Sequence, residues 1–514
     1  MNANLFAALR DAFPADLDTC AIECAEPGPQ GQRLSYSWRD LERGTAMLAN
    51  LLLSLDLPAG SRIAAHTEKS VEALLLYLAV LRAGFVYLPL NPAYQAAELD
   101  YFLRDAEPAV LVCAGANFGW ASKLAFLAGT HYVFSLNDDR SGSLLERASS
   151  MSDTHSVAER STDDLAAILY TSGTTGRSKG AMLSHGNLLS NARTLKDLWG
   201  WRADDVLIHA LPIFHVHGLF VASHGALLAG AKMIWFSKFE PRAVISRFAE
   251  ATVFMGVPTL YVRMLGEAAL TPTACAPMRL FISGSAPLLL DTFTEWQQRS
   301  GQKTILERYG MSETLMLTSN PYRALDGDRI GGTVGPALPG VAVRVSKDGG
   351  QLCAPGEIGA IEVRGPNVFT GYWRMPEKTQ EEFSADAWFK TGDVGFCDAN
   401  GYYSIVGRSK DLIISGGFNV YPAEIEGYLN ELDGVAESAV IGLPHADFGE
   451  AVVAVVVAKP AHSPDGAALI ATLKRQIAGF KVPKQVFIVE ELPRNAMGKV
   501  QKNLLREQFG RLFA

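Results

Sequence analysis

The sequence predicts an α/β protein. A large N-terminal domain of layered α/β sheets carries an added β unit and is followed by a small, mobile C-terminal α+β domain. Three observations predict this. Helix-spaced and strand-like apolar runs alternate through the first third of the chain. Short alternating runs punctuated by Gly and Pro fill Gly331 to Val368, and the texture changes again after Arg408. The 514 residues, 48% hydrophobic and 19% charged, can fill several cores and exclude a disordered chain.

The elements follow in order. Ser37 to Asp40 reads as a capping box opening a helix with Leu41, Leu48, Leu51, Leu52 and Leu55 at helical spacing. Arg62 to His66 is a strand, Val71 to Arg82 a helix stopped by Gly84, and Phe85 to Leu90 a buried strand closed by Asn91 and Pro92. A helix near Ala97 to Arg104 and a strand at Ala109 to Cys113 complete a βαβα order, which argues for a largely parallel sheet. The polar stretch from Asp138 to Asp164 reads as a loop or separator. The alternation resumes with strand Ala166 to Tyr170 and helix Asn187 to Leu198. Strands then follow at Val206 to His209, Thr252 to Val257 and Leu280 to Ser283. Val341 to Val345 and Ile358 to Val363 belong to an antiparallel β unit. We divide the chain into domains 1–408 and 409–514. The second has a helix from Pro422, strands Ala439 to Ile441 and Ala451 to Ala458, and a helix at Ala468 to Ile477.

Composition narrows function. With 46 basic and 54 acidic residues the formal charge is −8, so no global attraction draws nucleic acid or anionic lipid. The six cysteines form no CxxC pair, which suits a reducing compartment. The longest oily stretch, Ala73 to Leu81, falls far short of the ~20 residues of a membrane span. No secretory h-region precedes it, so a soluble, cytoplasmic protein is expected.

The densest chemical signal is Tyr170 to Gly180, directly after a strand. Gly173 and Gly176 let backbone N–H groups turn inward, the hydroxyls of Thr171, Ser172, Thr174 and Thr175 add donors, and Lys179 adds charge. Together they make a polyphosphate cradle. It is not a Walker A loop, because Arg177 and Ser178 separate the second glycine from the lysine. Histidines at 185, 209, 215, 217 and 224 invite a metal reading, but His215 and His217 lack acidic or Cys companions at supporting spacing.

Tyr170 to Gly180 resembles the phosphate loop of adenylate-forming enzymes, the family of acyl- and aryl-CoA synthetases, luciferases and peptide-synthetase adenylation domains. The other motifs of that family follow in order: Leu211 to His215, Gly284 to Pro287, Glu307 to Thr314, Thr391 to Asp393, Gly407 to Asp411, and Pro493 to Lys499. The resemblance covers nearly the whole chain. It implies ATP, Mg²⁺ and CoA, and a carboxylate that attacks the α-phosphorus of ATP before CoA displaces AMP. Two anions must meet, so the site needs cations and preorganised donors. On the resemblance, Lys499 bridges carboxylate and α-phosphate, Glu313 takes Mg²⁺ and Thr314 bonds phosphate. Tyr309 stacks on adenine against Ser285, Ala286 and Pro287, within an ATP wall that includes Glu307, Arg308, Gly310 and Met311. Asp393 meets the ribose, Arg408 the ribose or phosphate, and Lys410 is the hinge. Ser415, Gly416, Gly417 and Phe418 approach the pantetheine arm of CoA, and His215 lines the acyl pocket.

The acid is expected to carry a second carboxylate, held by Arg263 and Ser285, with Arg279 and His215 as further candidates. The pattern is similar to the branch of the family that activates malonate, with methylmalonate a neighbouring substrate. Three other readings stay open. They are a short-chain or aryl acid with Arg263 merely structural, transfer of the acyl group to a carrier protein, and an ATP-binding protein without turnover.

Overall fold

The computed structural model describes residues 2–27, 33–171, 178–347, 350–415, 418–445, 448–495 and 498–513. Among them, two large sheets share one core. The first runs in the spatial order Leu315–Ser319, Ile305–Met311, Leu280–Ser283, Val253–Gly256, Val206–His209, Lys232–Trp235, Cys20–Pro27, Arg33–Ser37. Its middle is parallel and both ends turn antiparallel. The second runs Gly371–Tyr372, Lys179–Ser184, Leu165–Thr171, Val86–Pro89, Arg62–His66, Val110–Cys113, Tyr132–Ser135. Between them lies helix Val71–Ala83, every side chain of which is buried. Ser70 caps its start and Gly84, at φ 78°, ends it.

Alternation along the strands explains the layering. Ile63, Ala65, Val110, Val112, Ala167 and Leu169 face the shared core, whereas Ala64, Leu111 and Ile168 face the outer helices Ala96–Ala106 and Phe118–Leu127. The first sheet has its own outer layer, where Phe254 and Phe281 pack on Val244, Tyr261 and Trp296. The expected capping box is present: Ser37 accepts from the Asp40 N–H and the Asp40 side chain accepts from the Ser37 N–H, opening helix Trp38–Leu53.

The β unit is a four-stranded antiparallel sheet, Ala342–Ser346, Gly359–Arg364, Phe389–Cys397, Tyr403–Arg408. The last sheet begins at Ile413–Ser415 and is built on the long antiparallel pair Val435–His445 and Gly449–Ala458, with Gln485–Val489 parallel to the latter. Two features were not anticipated. Cys20–Pro27 joins Lys232–Trp235 from over two hundred residues away, and the 138–164 stretch contains helix Ser143–Ala148. No helix among the described residues is long and apolar enough to cross a membrane.

Candidate active site

Strand Ile305–Met311 supplies both halves of the site. It lies parallel to Leu280–Ser283 with Glu307 opposite Ser283, and alternation sends Glu307 and Arg308 to opposite faces. Arg308 is 3% exposed, and its Nε and Nη2 have no hydrogen-bond partner among the described residues. The glycine at 284 makes room for it: a Cβ there would stand 2.5 Å from the guanidinium carbon. Burial pushes the Arg308 pKa down to about 9, which leaves it charged at neutral pH. A buried charge without a partner costs several kcal/mol, so this group is poised for an anion.

His215 and His217 are beside it. Burial, then the nearby Arg308 charge, lowers both pKa values, that of His215 to about 4, so each imidazole is neutral at pH 7. His215 also feels the charge of Lys499. On the other face, Glu307 accepts the Gly332 N–H at 3.0 Å, and burial raises its pKa to about 8, which keeps the carboxyl protonated.

The nucleotide side is differently made. Tyr309 Oη donates to Asp393 Oδ2 at 2.5 Å, while Arg408 Nε lies 3.0 Å from Asp393 Oδ1. Asp393 and Arg408 face each other across two adjacent strands. Lys499 is half-buried, and burial, then Arg408, lowers its pKa. Glu313 is buried, which raises its pKa, and it accepts from the Tyr372 hydroxyl at 2.9 Å. Lys179 Nζ lies 4.1 Å from the centroid of the Tyr372 ring and 3.3 Å from Glu382 Oε1. Thr314 is fully buried and its hydroxyl donates to the Leu315 carbonyl at 3.2 Å. Gly310 sits where a Cβ would meet the Leu315 carbonyl, with Met311 half-buried beside it. Ser285, at φ 73°, and Ala286 are half-buried in the turn before exposed Pro287.

A profile of the AMP-binding enzyme family matches residues 17–373, and one of the AMP-binding enzyme C-terminal domain matches 424–499. The chain belongs to the AMP-binding enzyme family. It is similar to ATP-bound MatB from Rhodopseudomonas palustris, with a TM-score of 0.95 and 54% identity over 100% of both chains. Against apo MatB the identity is again 54% but the TM-score is 0.84, so the present arrangement is nearer the ATP-bound form. A malonate–CoA ligase of Arabidopsis thaliana is 33% identical, covering 97% of this chain and 89% of its own. A feruloyl-CoA synthase of Amycolatopsis is 35% identical over 93% and 95%.

In this AMP-binding enzyme, two expected acid-binding residues have contacts of their own. Arg263 is on the exposed side of helix Pro258–Leu265, its guanidinium 5.0 Å from the centroid of the Phe239 ring, and lines an outer cleft that Phe214, next to His215, and Gly498, next to Lys499, also line. The helix turns Tyr261 and Met264 inward, and Arg263 falls on the opposite side. Arg279 is taken up by the buried Asp205, at 2.6 Å from Nε and 2.5 Å from Nη2, and donates to the Trp199 carbonyl. These bonds tie the start of strand Leu280–Ser283 to the start of Val206–His209. Arg308, expected against ATP, is the guanidinium beside His215. Ser283 is a further buried hydroxyl, one strand position before Gly284, without a partner among the described residues.

Lys410 lies exposed in the turn Ser409–Asp411, between Tyr403–Arg408 and Ile413–Ser415. Ser415 is buried, and Phe418 is 55% exposed and stacks on Phe480 at 4.6 Å. Thr171 ends its strand half-buried. Ser172, Gly173, Thr174, Thr175, Gly176, Gly416 and Gly417 lie outside the described residues. Sequence reasoning missed Tyr372 and Glu382. The available signal was Tyr372 three residues before Met375-Pro376, a helix start that returns Glu382 toward Lys179.

Proposed function

We propose that the chain ligates malonate to CoA, consuming ATP and releasing AMP and pyrophosphate through a malonyl-adenylate. One observation carries the choice of acid: the buried Arg308 guanidinium, whose Nε and Nη2 have no partner among the described residues, beside a neutral His215 that also lies within the field of Lys499. A dicarboxylate can answer both cations, its distal carboxylate on Arg308 and its reacting carboxylate toward Lys499. A monocarboxylate leaves Arg308 buried and unpaired. Charge-assisted bonds of this kind contribute roughly 1.5–3 kcal/mol each.

The reaction follows from the layout. The reacting carboxylate attacks the α-phosphorus, the bond to pyrophosphate breaks, and Lys499 offsets the repulsion as the two anions meet. Tyr309 and Asp393 orient adenosine, with Arg408 and Lys179 balancing phosphate charge. Glu313 suits Mg²⁺, being a buried carboxylate with one oxygen tied to Tyr372. No group of three or more His, Cys, Asp or Glu ligands accompanies it among the described residues, so phosphates and water would complete the coordination. Mg²⁺ when bound supplies charge neutralisation on the triphosphate.

The outer cleft, of about 530 Å³, suits CoA. Lys69, Lys238 and Arg263 line it together with Glu68, Pro212, Phe214 and Leu260, and Gly498 beside Lys499 closes it. Exposed Lys238 and Arg263 fit the CoA phosphates and the apolar walls fit the pantetheine arm, whereas Lys69 donates to the His209 and Phe236 carbonyls; Ser415 and Phe418 join after the small domain, 409–514, turns about Lys410. Six free cysteines fit a reducing, cytoplasmic setting, and the partners are small molecules, with no nucleic acid or membrane.

ATP–pyrophosphate exchange tests the reading across malonate, methylmalonate, succinate, acetate, propionate, octanoate and coumarate. Exchange is expected with malonate and methylmalonate. Equal exchange with propionate would remove the dicarboxylate assignment and keep the ligase.

A further inference from the structure

We infer that Tyr372 is a positioning residue for both the Mg²⁺-facing carboxylate and the phosphate-loop lysine, and that Glu382 is the counter-ion which Lys179 leaves when triphosphate arrives. The inference rests on the ATP site of the reading above and not on the identity of the acid.

The geometry centres on one side chain. Tyr372 lies in the two-residue strand Gly371–Tyr372, which pairs antiparallel with Lys179–Ser184 through Ala181 and Met182. The Trp373 N–H donates to the Gly180 carbonyl at 2.8 Å, and the Tyr372 N–H donates to Thr379 Oγ1 at 2.9 Å. Its backbone is thus fastened on both sides. Its hydroxyl donates to Glu313 Oε1, and its ring face carries the Lys179 ammonium. One phenol therefore touches the two groups of opposite charge that must both address the triphosphate. The Phe369 N–H fixes the Glu313 backbone carbonyl at 2.8 Å, so the carboxylate's remaining freedom is rotation, which the phenol restrains.

Glu382 ends helix Pro376–Glu382, whose Pro376 start directs it back toward the lysine. Its Oε1 takes Lys179 at 3.3 Å and Lys378 at 3.2 Å. The two ammonium groups share one oxygen, so neither pair is tight. Lys179 and Glu382 side chains are 21% and 24% exposed, which screens their attraction. When Lys179 swings to phosphate, Lys378 stays behind and Glu382 is not left alone. The arrangement keeps a lysine from collapsing onto Glu313 in the empty site, yet holds it weakly enough to release.

Three variants test this by calorimetric ATP binding, with and without Mg²⁺ and with no acid present, and by Mn²⁺ binding followed by electron paramagnetic resonance. Glu382→Gln removes the competing anion and is expected to bind ATP roughly two- to fivefold more tightly. Glu381→Gln, whose carboxylate pairs with Lys378 instead, leaves ATP affinity where it was. Tyr372→Phe keeps the ring over Lys179 and loses the bond to Glu313. It is expected to weaken Mn²⁺ binding to the ATP complex by roughly tenfold or more while metal-free ATP binding is unchanged. Weaker ATP binding by Glu382→Gln overturns the counter-ion role. Equal losses of metal-free and metal-bound ATP affinity in Tyr372→Phe overturn the positioning role. In the parent protein, normal ATP and metal binding with no turnover of malonate would instead overturn the acid assignment alone.

Discussion

The two halves of the site, built on neighbouring residues of one strand, handle charge in opposite ways. On the nucleotide side three charged side chains already have neighbours: Asp393 has Tyr309 and Arg408, Lys179 has Glu382, and Glu313 has Tyr372. Nucleotide binding there exchanges one set of partners for another, so its net gain is modest and its geometry is prepared. On the acyl side Arg308 Nε and Nη2 have no hydrogen-bond partner to exchange among the described residues. Substrate provides its first partner, and an acid that cannot provide one leaves the penalty in place. Exchange suits a ligand common to a whole family, and an unpaired charge suits a choice among acids.

The comparison is broken most directly at Arg308. Arg308→Met should lower kcat/KM for malonate by about 10⁴ and raise relative activity with propionate, with ATP affinity little changed. Steady-state kinetics with both acids checks this, and a variant that lost ATP binding in parallel would merge the two halves. Lys499 joins them. Lys499→Ala should slow adenylate formation by about 10²–10³ while leaving thioester formation from supplied malonyl-adenylate nearly intact, as single-turnover assays would read.

Glu307 sharpens the same contrast, since burial alone holds it uncharged on the strand face opposite Arg308. Its carboxyl ionises near 4.5 when unfolded and near 8 when folded. Between those values the folded state holds the extra proton, so stability falls as pH rises through the window, by roughly 1.4 kcal/mol per pH unit. Glu307→Gln should flatten that decline, giving a Tm advantage over the parent that grows from pH 5 to pH 8. A constant offset would show that the proton is not held. The smallest effect is expected at Arg263: Arg263→Ala should raise KM for CoA roughly two- to fivefold and leave KM for malonate alone.

Much of this was legible beforehand. The βαβα order, the Ser37 capping box and the antiparallel β unit all follow from local periodicity and caps, and the structure contains them. Long-range pairing was not legible. Nothing near Cys20–Pro27 signals Lys232–Trp235 as its neighbour, because a strand's partner is a tertiary fact. The same limit governs the arginines. Arg263, Arg279 and Arg308 are equivalent as letters. What separates them is a helix face, a buried Asp205 and a facing glycine, each set by elements remote in the chain.

That facing glycine has a consequence for how an acid is selected. At residue 284 a single methyl group would stand 2.5 Å from the guanidinium carbon of residue 308, so where the arginine rests depends on a missing side chain. A change from glycine to alanine alters no charge and touches no substrate, yet it displaces the arginine. The choice of acid is therefore set as much by the space at residue 284 as by the charge at residue 308.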